Sequence, residues 1–337
     1  MVAAGDPPPL PPICGGKYSI IFTLKPGTVL ASLTGMSQPR QILPGSTYLV
    51  SRRSLRRHYL LRPEFFIDNL FIFLLAVLSV KYGIAVHAFC LLSTHEHLVL
   101  TDALGKLPDF LRDFHRLTAL AMKVFRKWEG SIWDSDQPSI VLLKTPEAIA
   151  EKIAYVMANP TAVGAVRYAA DWPGLVTTPR NIGKGTWTAK RPSLYFDQES
   201  EQWPDQVTLT LTMPPMVEEA FSDPIAVIQQ AYEELQGKAR REMAEKGRAF
   251  MGPARVMKVS PYQRATSWEE IRALNPTFAV GREQHEARKL AIAALKAFRQ
   301  AYRAALGLWR AGDRTAVFPQ GTWWMATFHG APVADSG

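Results

Sequence analysis

From Leu43 to Pro160 the apolar positions switch repeatedly between a two-residue and a three-to-four-residue spacing, and each switch marks a strand or a helix. Leu43-Pro44-Gly45-Ser46 reads as a turn, and the β-branched and aromatic run from Thr47 to Arg52 predicts a first strand. Pro63-Glu64 opens a helix to about Lys81, with proline near its start, acid in its first turn and Gly83 to end it. Ala85 to Leu92 and His95 to Thr101 predict two strands separated only by Ser93-Thr94, as a hairpin or a bulged continuous strand. Leu107 to Trp128 carries Leu107, Phe110, Leu111, Phe114, Leu117 and Ala121 at helical spacing. Ile140 to Leu143 predicts a short strand. Thr145-Pro146-Glu147 then starts another helix, expected to run to about Ala158 and to be stopped by Asn159-Pro160. The order β-α-β-β-α-β followed by a helix predicts an α+β, ferredoxin-like antiparallel sheet with helices on one face and the other face free to bind something.

Pattern is weaker on both sides of this block. Residues 1–38 hold Asp6-Pro7-Pro8-Pro9-Leu10-Pro11-Pro12, a polyproline leader expected to be loosely ordered, with no secretory signal. Met36 stands just before the first patterned segment, so an upstream start codon is one expected origin of the leader. Beyond Thr178 a mainly helical extension is expected: loop-rich to Ser200, a strand over 207–213, a helix over 224–246 and a basic amphipathic helix over 283–309. Leu290, Ala294, Phe298, Ala305 and Leu308 belong to the expected apolar stripe of that last helix. The most apolar run, Phe71 to Val80, is too short to span a bilayer and reads as a buried helix.

Charge narrows the range of partners. Lys and Arg outnumber Asp and Glu 39 to 30, a net charge of +9, which favours a polyanion: nucleic acid first, a membrane surface second. The two cysteines, Cys14 and Cys90, lie far apart, which excludes a disulfide scaffold and a cysteine-based zinc site and suits a cytoplasmic protein. Arg52, Arg53, Arg56, Arg57 and Arg62, with Tyr59 among them, crowd the loop after the first strand. Such a loop suits a phosphate backbone, and a solvated basic loop fits the same residues equally well.

Within Leu91-Leu92-Ser93-Thr94-His95-Glu96-His97-Leu98-Val99-Leu100 two histidines interrupt an apolar strand. Residues i and i+2 of a strand share a face, so His95 and His97 present their imidazoles side by side, as a metal pair lacking its third ligand or as core or ion-paired histidines. Glu96 points the other way, towards the expected core, and its carboxylate must be paired or partly solvated there. On the third helix, advancing about 100° per residue, Ile153 and Val156 fall within about 40° of Ile149 and form the buried stripe with Met157. Glu151, Tyr155 and Asn159 stack one turn apart on a different face. There the Tyr155 hydroxyl could reach a metal held by the two histidines, or the ring is a half-covered surface tyrosine. His87 and His115 read as structural or surface residues, and the absence of H-E-x-x-H weighs against a zinc hydrolase.

Residues 37–178 resemble the single-tyrosine HUH transposases, in particular the REP-associated tyrosine transposases. The features that carry the resemblance are Leu43-Pro44-Gly45 with the strand and Arg-rich loop after it, His87-Ala88-Phe89-Cys90-Leu91 leading into Ser93 to Leu100, and Ala154-Tyr155-Val156-Met157-Ala158-Asn159-Pro160 followed by Val163-Gly164-Ala165-Val166. The resemblance implies a catalytic domain over 39–178, with His95, His97 and Asn159 as ligands of a divalent metal, Mg²⁺ or Mn²⁺, and Glu151 as the alternative third ligand. It implies Tyr155 as the nucleophile, single-stranded or hairpin DNA as substrate, a 5′-phosphotyrosine intermediate and a homodimer. One position departs from the family's pattern: where it has a bulky hydrophobic residue between the histidines, this chain has Glu96. That departure motivates the alternative of a catalytically altered nucleic-acid-binding protein on the same scaffold.

Overall fold

A computed structural model of the chain describes residues 39–266 and 276–335. The polyproline leader and Cys14 lie outside the described residues.

The expected block is present with boundaries shifted by a residue or two, except at the end of α3: β1 (Ser46–Arg53), α1 (Phe65–Tyr82), β2 (Ile84–Leu92), β3 (His95–Asp102), α2 (Leu107–Arg126), β4 (Ser139–Leu143) and α3 (Pro146–Ala162). β1 pairs antiparallel with both β3 and β4, and β2 pairs antiparallel with β3, which gives the ferredoxin-like order β2-β3-β1-β4. Gly83 ends α1 in the left-handed region at φ +66°, which favours glycine, and a Cβ there would also displace the exposed Leu104 side chain, whose Cδ1 would lie at 2.7 Å. The buried Asp102 carboxylate accepts the amide N–H groups of Lys106 (2.8 Å) and Leu107 (2.7 Å) and so caps the start of α2. At His87 the β2–β3 register shifts, which lets Val86 and Phe89 face the same side although three residues apart.

α1 and α2 cover one face of the sheet, packing Phe71, Phe89, Phe110, Phe114, Leu98 and Leu100 into the larger core. By length and composition α1 is apolar enough to cross a membrane, yet it buries Ile67, the run Leu70 to Ala76, and Leu78 in this core. The second face, expected to be free, carries α3, whose Ile149, Ile153, Val156 and Met157 are fully buried against Leu49, Val99, Val141 and Leu143. α3 does not stop at Asn159-Pro160 but continues through the proline to Ala162. Tertiary packing overrides the breaker: Asn159, Pro160 and Thr161 are all buried, and the amides of Val163 and Ala165 close back onto the carbonyls of Asn159 and Pro160.

The extension packs on this framework. β5 (Thr186–Lys190) and β6 (Gln206–Thr210) form a small antiparallel sheet against α1; the first lies inside the segment expected to be loop. Residues 175–177 line the outer edge of β2 through Leu91 N–H to Leu175 O (2.9 Å) and Thr177 N–H to Phe89 O (2.9 Å). α4 (Pro215–Ala220) and α5 (Pro224–Glu245) lie against α3, followed by α6 (Pro253–Lys258). A two-residue strand, β7 (Phe278–Ala279), joins the free edge of β4 in parallel, so both sheet edges are occupied. Two helices end the chain, α7 (His285–Arg310) and α8 (Trp323–His329). Of the stripe expected on α7, Phe298 and Ala305 are buried, whereas Leu290 (71% exposed) and Leu308 (53%) face outward; the buried line is rotated to pass through Ala291.

The extension grips α3 at both ends. Thr145 Oγ1 caps α3 by accepting Ala148 N–H (3.3 Å) and also accepts Gly281 N–H (3.0 Å), while at the far end the Gln236 side-chain oxygen on α5 accepts from Thr161 Oγ1 (3.2 Å) and from Ala169 N–H (2.8 Å).

Candidate metal and nucleophile site

His95 and His97 share the sheet face on which α3 lies, and their ring centroids are 4.9 Å apart. The β1–β3 register sets Ser51 opposite His97, and Ser51 Oγ lies 2.6 Å from His97 Nδ1; Thr94 Oγ1 lies 2.9 Å from His95 Nδ1. With Nδ1–H donated to the Ser51 hydroxyl, the His97 Nε2 lone pair is available for ligation, while His95 Nε2–H donates to Asn159 Oδ1 until a cation takes that proton's place. Burial pushes the His97 pKa well below the usual histidine value, helped by the charges of His95 and Arg53, so the ring is neutral as a ligand must be.

α3 supplies the other two groups. Asn159 is 2% exposed, and its Oδ1 lies 3.3 Å from His95 Nε2. Two ligands of one octahedral ion at about 2.1 Å would lie about 3 Å apart, so this pair fits a shared cation with little movement. The Tyr155 ring stands edge-on to His97, centroids 5.4 Å apart, and is half-buried. Among the described residues no cluster of three His, Cys, Asp or Glu side chains could hold a metal, so the donor set here is two imidazoles and one amide oxygen. Such a set suits Mg²⁺ or Mn²⁺ with positions left over for phosphate oxygens, and is a poor match for a closed structural zinc site.

Glu151, the alternative third ligand, is not at this site. Two turns N-terminal to Asn159, its carboxylate accepts Arg282 N–H (3.4 Å) and faces the Arg282 guanidinium (3.9 Å). The basic loop also divides. Arg53 lies cross-strand from His95 and is exposed, Arg56 is exposed and Arg57 is half-buried. Arg52 is half-buried on the opposite face, its guanidinium 5.3 Å from the centroid of the Trp133 ring and in the field of Glu96. Arg62 is likewise committed, with Glu64 at 2.5 Å and Val259 O at 2.9 Å.

Glu96 has its partner on the helix face. Fully buried, its Oε1 lies 2.5 Å from Nε2 of His115 on α2, and Trp133 Nε1 in turn donates to His115 O (2.8 Å). The carboxylate between the metal-face histidines is thus turned away from them into an Arg52–Glu96–His115 group. His87, fully buried, is held between Thr101 Oγ1 (2.7 Å) and Thr212 O (2.8 Å), a structural role.

Three participants escaped the sequence reading. Ser51 and Thr94 become recognisable only once the strand register is known. Lys152, whose Nζ lies 5.6 Å from the Tyr155 ring centroid, stands three residues before it on the same helix, a spacing that was legible.

No family model matches the chain, and no curated protein sequence matches it. Among solved structures the likeness is to transposases. One is a REP-associated tyrosine transposase bound to a REP hairpin, 18% identical, with the match covering 43% of this chain and 85% of that one at a TM-score of 0.37. A second is a candidate transposase from Deinococcus radiodurans R1, 19% identical, covering 32% of this chain and 85% of that one at a TM-score of 0.25.

Proposed function

We propose that this protein is a metal-dependent, transposase-type enzyme that cleaves and rejoins single-stranded or hairpin DNA through Tyr155. The observation that carries the reading is the convergence of His95 Nε2 and Asn159 Oδ1 at 3.3 Å beside a histidine whose ring meets that of Tyr155 at 5.4 Å. His95, His97 and Asn159 would hold Mg²⁺ or Mn²⁺. When bound, that cation polarises the scissile phosphate and favours the phenolate.

The chain's own groups do the rest. A phenol with a pKa near 10 is a weak nucleophile at neutral pH, and the Lys152 ammonium stands 5.6 Å from the centroid of its ring. Arg53, at the edge of the site, orients the phosphate. Tyr155 Oη forms the bond to phosphorus while the bond to the 3′ oxygen breaks. The 3′ oxygen leaves as a hydroxyl, and the 5′ phosphate stays on the tyrosine. Attack by a 3′-hydroxyl on that phosphotyrosine reverses the step and releases Tyr155, so rejoining needs no ATP. Residues 39–178 would be the catalytic part, Arg53, Arg56 and Arg57 would track the backbone, and a homodimer would bring two tyrosines to two DNA ends on the nucleoid in the cytoplasm. Glu96 motivated the alternative of a binding protein without turnover; its pairing with His115 on the other face supports the enzyme reading over that alternative.

The test is covalent capture. Labelled hairpin-bearing single strands incubated with Mn²⁺ should give an SDS-resistant adduct with the wild type and none with Tyr155→Phe. An adduct that survives this substitution excludes Tyr155 as nucleophile, and DNA binding without any adduct excludes the enzyme reading.

A further inference from the structure

The Arg-rich loop does not end on its own segment. Residues 263–265 run beside it, with Tyr59 N–H donating to Gln263 O (3.0 Å), Ala265 N–H donating to Arg57 O (3.0 Å) and Arg264 Nε donating to His58 Nε2 (3.2 Å). This brings a ladder of rings to the loop's edge. His58 stands edge-on to Trp128 (centroids 5.3 Å), and Tyr262 stacks on Trp128 at 6.2 Å with only 18° between the planes. The ladder is fixed from below: Trp128 Nε1 donates to Ser131 O (2.9 Å) and Tyr262 Oη to Arg126 O (2.8 Å). Its last ring, Tyr262, is 52% exposed.

Charge surrounds the ladder. Arg56, Lys127, Lys258 and Arg264 are exposed, and no carboxylate among the described residues pairs with Arg56. Glu64 is shared by Arg62 and Arg126, and Glu129 after α2 is exposed. Arg56 and Arg57 both adopt left-handed backbone (φ +47° and +58°), which costs non-glycine residues about 1–2 kcal/mol each. Strain of that kind is retained where a loop's shape serves something other than its own stability. The loop is also continuous with the candidate site, because Ser54 N–H donates to Thr94 O (2.8 Å), next to His95.

We infer that Tyr262, backed by Trp128, is a stacking platform for an unpaired nucleobase, with Arg56 and Arg264 gripping the flanking phosphates, so that a single strand leaving the His95–His97 site is held across this ladder. This rests on the DNA reading above but not on its chemistry. A rigid ring with one open face amid cations is what sequence-tolerant single-strand binding uses, each stacked base contributing about 1–3 kcal/mol.

Binding is measured by fluorescence anisotropy in EDTA, so that no cleavage intervenes, with a labelled single strand and a blunt duplex of the same length. Tyr262→Ala and Tyr262→Leu should weaken single-strand binding about tenfold, about 1.4 kcal/mol, and leave duplex binding within about twofold. Tyr262→Phe should bind like the wild type. The salt slope should be unchanged in Tyr262→Leu and should fall by about 0.7 for each of Arg56→Ala and Arg264→Ala. Wild-type affinity in both Tyr262→Ala and Tyr262→Leu, or an equal loss on single strand and duplex, overturns the platform while leaving the Tyr155 chemistry standing. A wild type that binds no single strand sinks both, and a missing Tyr155 adduct with the Tyr262 effect intact sinks only the chemistry.

Discussion

Replacing His115 by leucine strands a charge. Glu96 is fully buried and His115 is 3% exposed at its side chain, with Nε2 and Oε1 at 2.5 Å. Without the imidazole Glu96 is left facing Arg52, whose Nε has no hydrogen-bond partner among the described residues. Removing one member of a buried pair costs about 3–5 kcal/mol, because the remaining charge has neither water nor partner. The presence of Arg52 places the expected loss at the lower end, about 3 kcal/mol. At about 2–4 °C per kcal/mol for a domain somewhat smaller than this one, that is a fall in Tm of roughly 6–12 °C. Glu96→Leu should cost a similar amount by orphaning Arg52 and His115. The double variant should cost less than the sum, with a coupling of at least about 1.5 kcal/mol in a cycle read from urea midpoints. Mn²⁺ affinity of the folded Glu96→Leu protein, followed by electron paramagnetic resonance, should change by less than about threefold, since His95 and His97 face the other way. Additivity of the two single variants within about 0.5 kcal/mol would refute the pairing, and a single-variant cost under about 1 kcal/mol would refute the desolvation argument.

Ligation and acid response give the remaining tests. Asn159→Ala should weaken Mn²⁺ binding strongly, and Ser51→Ala should weaken it by about 10–100-fold through loss of the His97 Nδ1 partner, with DNA affinity in EDTA unchanged in both. Burial pushes the His87 pKa down to about 4 from 6.5, so the unfolded state binds the extra proton between those values. Its contribution is therefore full above about pH 6.5 and falls by roughly 3 kcal/mol as the pH drops to about 4; His87→Asn should flatten that slope in urea titrations. Asp68 has the opposite sign: burial, then Glu64, raises its pKa from 3.8 to about 7, so its contribution is present below about pH 3.8 and is lost as the pH rises towards 7. Asp68→Asn should accordingly raise the urea midpoint at pH 8 and leave it unchanged at pH 3.5. Gly83→Ala, which forces a Cβ into Leu104 at positive φ, should cost about 1–2 kcal/mol without altering metal binding.

The parts of this molecule legible in its sequence are those where periodicity and burial agree. β1 to β4 and α1 to α3 follow from spacing, and so does the shared face of His95 and His97, because a strand has only two sides. What was hidden depends on partners far along the chain. β5 and β7 are five and two residues long and exist by pairing, not by pattern. Pro160 reads as a stop until its burial against α5 is known. Arg52 and Arg62 look like surface cations until Glu96 and Glu64 are found beside them. His115 reads as a polar-face residue of an amphipathic helix because its acceptor lies on another element. On α7 nearly every side carries alanine, so composition alone did not say which line faces inward.

The dependence of the tyrosine helix on Gly281 and Gln236 has a practical consequence for anyone cutting the chain. A fragment ending near residue 178 keeps both imidazoles on their strand but removes the latch at each end of the helix that carries Tyr155. Such a fragment should load metal weakly, because Asn159 rides on the same helix, and attack DNA poorly, and supplying the missing piece as a separate polypeptide should restore both. Sequence beyond the family-like block would then count as part of the enzyme rather than as an accessory to it.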